Sequence, residues 1–175
     1  GNYNDTQPEN QSLKQNRPTL FCLILTTSET VATRGKTVYE TWGRKCDTTK
    51  LVLKFPESLT KENNSILKMV DFNYNPNRSF IDFNNLLEPA ELRQEPNNSY
   101  LITEKVQRAF MHVYSKYSEF DWYLKADDDT FIFVDNLRKF LSDKDTRYPI
   151  SYGYNYLKFI DEGYHSGGAG YVMSN

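Results

Sequence analysis

Leu20-Phe21-Cys22-Leu23-Ile24-Leu25 is an unbroken apolar run with no alternation. That is the pattern of a β-strand buried on both faces. Lys50 to Phe55 is a second stretch of strand length, and Pro56 stops it. Between the two, Val31, Val38 and Trp42 recur at helical spacing with Arg34 close by, so a helix over Val31 to Trp42 is expected despite Gly35 in its interior. Strand, helix, strand in that order opens a βαβ unit and points to a parallel sheet.

A further apolar run, broken by Lys125, leads from Asp121-Trp122-Tyr123-Leu124 into Asp127-Asp128-Asp129, and Thr130-Phe131-Ile132 leads away. This reads as a buried strand ending in an acidic turn. In open α/β sheets ligands bind in the crevice at the carboxyl ends of the strands. If the chain stays extended, Asp127 and Asp129 share one face and Asp128 takes the other. Two carboxylates at a strand end suit Mg²⁺ or Mn²⁺, which take one or two carboxylates plus substrate phosphates. The triplet reads equally well as a turn and N-cap for a helix over Val134 to Leu141. A calcium loop is excluded because Phe131-Ile132 stand where its ligands belong, and a Walker loop because no Gly-Lys-Ser/Thr ending occurs.

Around these runs the pattern is coarser. Thr26-Thr27-Ser28 offer hydroxyls that can cap the next helix or touch a ligand. Ser99 to Tyr117 is a helix with Ile102, Val106, Ala109, Phe110, Val113 and Tyr117 on one face. Pro149 to Gly153 is a short strand. Glu57 to Asn98 is mostly irregular, with a short strand near Phe80 to Phe83 and a helical turn near Leu86 to Leu92. Gly167, Gly168 and Gly170 either let the backbone approach a sugar or phosphate or serve a tight turn at positive φ. They lack the spacing of a dinucleotide fold.

The 175 residues suffice for one domain with its own core, and 25% charged with 15% aromatic residues is a globular composition. A net charge of -2 without a Lys/Arg stripe excludes nucleic acid as the expected partner. No apolar run is long enough to span a membrane. Residues 1-18 are polar and aperiodic, a flexible lead-in or stem, which leaves 19-175 as the folded part. Cys22 and Cys46 are either one disulfide or two buried thiols. Sequons at Asn4, Asn10, Asn63, Asn77 and Asn97 lean toward the secretory pathway.

The features gain specificity in combination. They run from the apolar strand with Cys22, through Arg34…Thr41-Trp42…Cys46, to Asp-Trp-Tyr-Leu-Lys-Ala-Asp-Asp-Asp-Thr. Asp135-Asn136-Leu137-Arg138 follows, then Gly-Tyr-x-Ser-Gly-Gly-Ala-Gly-Tyr-Val. This order closely resembles the core 1 β1,3-galactosyltransferases of the Fringe-related β1,3-glycosyltransferase family, over about Leu20 to Lys54 and Leu101 to Asn175.

The resemblance implies an α/β, GT-A (Rossmann-like nucleotide-sugar transferase) fold, a mostly parallel sheet flanked by helices, incomplete at the C-terminus. Residues 19-175 would be the N-terminal part of its catalytic domain. It implies inverting transfer of galactose from UDP-galactose to the 3-hydroxyl of GalNAc-Ser/Thr on a glycoprotein acceptor, with Mn²⁺ as cofactor. It also implies a type II membrane protein of the Golgi lumen, anchored outside this chain, with a homodimer left open. Carried over by position, Asp127 and Asp129 bracket the family's acidic (DxD) motif as metal residues, with Asp129 the direct ligand. Thr27, Arg34, Asp127 and Asp128 fall at the nucleotide-sugar, and Gly167 and Gly168 on the loop lining the sugar pocket. Cys22 and Cys46 match a family disulfide. No catalytic residue is assigned in this chain, because the family's base-bearing acidic segment and its metal-binding histidine have no counterpart within residues 1-175. The stretch Tyr154 to Glu162 is less basic than in the family, which bears on acceptor choice. Alternatives are a truncated pseudoenzyme or chaperone-like relative without activity, or a β1,3-glycosyltransferase using another UDP-sugar.

Overall fold

The computed structural model describes residues 17-53, 80-82, 102-158 and 160-175. The five sequons, most of the expected stem and the helical turn near Leu86 to Leu92 lie outside the described residues. The main sheet contains β1 (Leu20–Leu25), β2 (Thr48–Leu53), β3 (Phe80–Asp82), β4 (Trp122–Asp127), β5 (Ser151–Gly153) and β8 (Tyr171–Ser174). A separate hairpin joins β6 (Asn155–Tyr156) to β7 (Tyr164–His165). In the main sheet the order is β3-β2-β1-β4-β8-β5. β1 pairs in parallel with both β2 and β4, and β2 with β3. β8 is antiparallel to β4 and to β5. The result is a mixed α/β architecture with a mostly parallel sheet, as the strand-helix-strand order predicts.

Strand alternation divides the core into two layers. Leu20, Cys22 and Ile24 face one side with Trp122, Leu124 and Ala126. There they pack with Val38 and Trp42 from the segment after β1, and with Val134 and Leu141 of α3 (Val134–Leu141). Phe21, Leu23 and Leu25 face the other side against Ala109 and Val113 of α2 (Ile102–Lys116). Phe21 anchors that layer, with the rings of Tyr117, Phe120 and Tyr123 at 5.2, 5.4 and 5.8 Å. Covering both faces is what makes an uninterrupted apolar β1 stable, at about 1.5 to 3 kcal/mol for each large aliphatic or aromatic side chain fully buried.

The expected helix over Val31 to Trp42 is broken up. A wide π-helical turn spans Val31–Gly35, the short helix α1 covers Lys36–Glu40, and a 3₁₀ turn covers Gly43–Lys45. Gly35 explains part of this, because a Cβ there would come within 3.2 Å of Thr26 Oγ1. The glycine lets the wide turn lie against the end of β1. Cys22 and Cys46 are joined in a disulfide, tying β1 to the residue after the 3₁₀ turn.

The amino edge of the sheet is closed by two carboxylates. Asp121 accepts from Thr19 N and Thr19 Oγ1 at 2.7 and 2.8 Å. Asp47 accepts from Leu20 N at 2.7 Å and from Arg138 at 2.8 Å, and also pairs with Arg17. Arg138 is 6% exposed and also donates to the carbonyls of Lys45, at 2.9 Å, and Pro18.

Candidate active site

At the opposite edge the chain leaves β1 toward β2 on one side while β4 lies on the other. Their last residues, Leu25 and Asp127, are register partners. This is a topological switch point, where open α/β sheets bind ligands. Thr26 N donates to Val52 O and Asp128 N to Leu25 O, both at 3.0 Å, so the ends of β1, β2 and β4 are held together.

β4 ends at Asp127, and residues 128 and 129 form a turn. Strict alternation therefore stops there, and the three carboxylates go three ways. Asp127 Oδ1 accepts from Lys125 Nζ at 2.6 Å. Asp128 Oδ2 accepts from Thr26 Oγ1 at 2.7 Å and from Thr30 Oγ1. Asp129 has its nearest cation in Arg34, at 4.0 Å, with the two side chains 65% and 59% exposed. A loose exposed pair of this kind contributes at most about 1 kcal/mol. Both groups are thus open to a ligand, the carboxylate for a cation and the guanidinium for a phosphate.

The helix-cap reading of the triplet does not hold. Phe133 is the N-cap of α3 and no side chain caps it. The turn after the acids is instead pinned by the buried Trp42, whose Nε1 donates to Thr130 O at 3.0 Å.

The structure brings most of the expected residues to one edge. Thr27 follows the end of β1 and its hydroxyl meets that of Thr30 at 3.0 Å. Gly167 and Gly168 arrive from the turn before β8. Gly167 O accepts from Lys125 Nζ at 2.8 Å and Gly168 O from Thr130 Oγ1 at 2.7 Å. The two readings of the glycines turn out to apply to different residues. Gly170 has φ +80° and meets the positive-φ demand of the turn. A Cβ at Gly168 would meet no protein atom within 4 Å, so its open side is where a ligand could approach the backbone.

Two cations were not singled out from the sequence. Lys125 is 2% exposed in the middle of the sheet. Its signal was present, since a lysine inside a buried strand requires a partner, and Asp127 two residues on shares its face. Lys105 reaches from α2 to donate to Thr26 O at 3.2 Å. Burial lowers its pKa, against the opposing charges of Asp127 and Asp128. Nothing in the helical pattern marks Lys105, because its role depends on how α2 docks. Between α2 and β8 an open cavity of about 680 Å³ is lined in part by Phe110, Lys125, His165, Gly167 and Tyr171.

No family model matches the chain. It is 31% identical over 171 residues to a glycoprotein-N-acetylgalactosamine 3-β-galactosyltransferase 1 of Xenopus laevis, a match covering 95% of this chain. The match supports a core 1 β1,3-galactosyltransferase-like relationship. It spans 40% of that relative's length.

The donor set of the acidic turn can be weighed against a divalent cation. Among the described residues no group of three His, Cys, Asp or Glu side chains converges as a metal cage. Asp127 and Asp128 are both engaged by the protein, and Asp129 is the carboxylate left exposed. That fits an ion of the Mg²⁺ or Mn²⁺ type held by few carboxylates and completed by phosphate oxygens and water, and it does not fit a closed all-protein site.

Proposed function

We propose that this chain forms the donor-binding part of a GT-A-type, metal-dependent galactosyltransferase. In this reading galactose passes from UDP-galactose, with inversion, to the 3-hydroxyl of GalNAc-Ser/Thr on glycoproteins of the Golgi lumen. The observation that carries the reading is the pairing of an exposed Asp129 with an exposed Arg34 at the switch point, in a relative of a galactosyltransferase.

Asp129 would hold Mn²⁺, with Asp127 beside it as the second carboxylate of the motif. The bound ion supplies Lewis-acid neutralisation of the charge that grows on the departing diphosphate. Arg34 binds the same diphosphate through its guanidinium. Thr27 reaches the nucleotide from the end of β1, and Asp128 fixes Thr26 and Thr30 so that this hydroxyl-lined turn keeps its shape. Gly168 presents backbone to the sugar without a side chain in the way. These residues bind and orient the donor, and none of them is assigned as the base that takes the acceptor proton. Retention of the whole acidic turn favours this reading over a relative that has lost activity.

Calorimetric titration of the chain with UDP, with and without Mn²⁺, tests the proposal. Binding is expected with Mn²⁺ and to be weaker by at least about tenfold without it. Equal affinity in both titrations contradicts a metal-bridged diphosphate site.

A further inference from the structure

Two donors on the acidic segment hold two successive carbonyls of the glycine turn. Lys125 Nζ bonds Gly167 O at 2.8 Å across 42 positions of sequence, and Thr130 Oγ1 bonds Gly168 O at 2.7 Å across 38. Within the turn Gly170 N donates to Gly167 O at 3.2 Å, and at its start Ser166 N donates to Tyr154 O at 2.9 Å. The carbonyl of Lys125 also backs Gly170, where a Cβ would come within 3.1 Å of it.

We propose that Lys125 and Thr130 form a two-point clamp that sets the glycine turn against the acidic turn. This makes Lys125 a positioning residue for the sugar end of the donor site. The assignment rests on the donor-site reading given above.

The physical case begins with the ammonium of Lys125. A charge 2% exposed is costly unless it is paired and hydrogen-bonded. Asp127 Oδ1 at 2.6 Å neutralises it, and Gly167 O satisfies a second N–H. Asp127 thereby serves as counter-ion to Lys125, while Asp129 faces outward. An apolar residue would pack in this strand more cheaply, as Leu124 and Ala126 do beside it. What an apolar residue lacks is a donor that reaches a carbonyl on a distant turn. Fixing the carbonyls of 167 and 168 orients the two planar peptide groups they belong to, 167–168 and 168–169, and these flank Gly168. Lys125 and Gly167 also line the cavity beside α2, so the clamp shapes its wall.

The test uses the intact chain and two variants, Lys125→Met, close in length and uncharged, and Thr130→Val, close in shape without the hydroxyl. Amide hydrogen exchange is followed at residues 166 to 170 and in β1, and affinities for UDP and UDP-galactose are measured with Mn²⁺. Each variant is expected to speed exchange in the turn by about tenfold, the scale of one lost hydrogen bond, with β1 protection unchanged. The advantage of UDP-galactose over UDP is expected to fall, because the turn reaches the sugar and not the nucleotide. Unchanged exchange in the turn in both variants overturns the clamp. Faster exchange with an unchanged UDP-galactose to UDP ratio overturns the positioning role. Should Lys125→Met lose protection in β1 as well, Thr130→Val decides alone. A wild-type chain that binds neither ligand overturns the donor-site reading itself, and this differs from binding both with an unaltered ratio in the variants.

Discussion

At the amino edge of the sheet, Asp47 and Asp121 are used up by the chain itself, on Leu20 N, Thr19 and the buried Arg138. At the carboxyl edge, Asp127, Asp128 and Asp129 stand next to threonines and an arginine of the same kinds. There Asp129 and Arg34 come no closer than 4.0 Å and remain largely exposed. The residue types are alike, so composition does not separate the two edges. Asp127 and Asp128 are engaged inside the fold as Asp47 and Asp121 are. What separates the edges is Asp129 with Arg34, whose charges have no close partner among the described residues. A carboxylate with backbone N–H and guanidinium partners stabilises, whereas one facing solvent has its interaction left to give to a ligand.

The most damaging challenge to this contrast is Asp129→Ala. Loss of the carboxylate is expected to weaken Mn²⁺-dependent UDP binding on the order of 100-fold, about 3 kcal/mol, in the same titration. The thermal midpoint should stay close to that of the wild type, because an exposed loose pair adds little stability. A variant that unfolds more easily and keeps its affinity would assign Asp129 to the structural edge instead.

Arg138→Met probes the other side. It strips Asp47 of its buried partner and leaves the carbonyls of Pro18 and Lys45 without that donor. A loss of about 2 to 4 kcal/mol in denaturant unfolding is expected, with UDP affinity unchanged where the variant is folded. A large change in affinity at unchanged stability would break the division of labour between the edges.

Much of this contrast was legible before the structure. The uninterrupted run of β1, the acidic end of β4 and the helix over Val134 to Leu141 follow from local pattern, and all three are found. The switch point needed the spatial order of β2, β1 and β4, which local pattern does not supply. The destinations of the three aspartates could not be read, because a turn begins at Asp128 and alternation no longer says where a side chain points. The break-up of the helix after β1 was equally hidden. It depends in part on how closely Gly35 lies against Thr26 at the end of β1, where a Cβ would come within 3.2 Å of Thr26 Oγ1. Lys105 and the Lys125–Gly167 contact join positions far apart in sequence, and only the docking of α2 and β8 on the sheet brings them in. The disulfide was open by cysteine count and came from resemblance; the structure supports it.

The finest test of the contrast is titration of the amino edge. Burial pushes the Asp47 carboxyl up, but the Leu20 N–H and the Arg138 guanidinium, aided by Arg17, outweigh it and hold the pKa below its ordinary 3.8. A carboxylate with a lowered folded pKa stabilises the protein above its unfolded value, and that contribution is lost as pH falls through the folded value. Unfolding free energy should therefore decline on acidification below about pH 4, and Asp47→Asn should remove that share of the slope while lowering stability at neutral pH. Chemical denaturation of both proteins from about pH 2.5 to 7 measures the difference. Parallel curves would mean that Asp47 gains no more from its partners than it lost to burial, and the amino edge would then owe its order to Asp121 and the apolar layers.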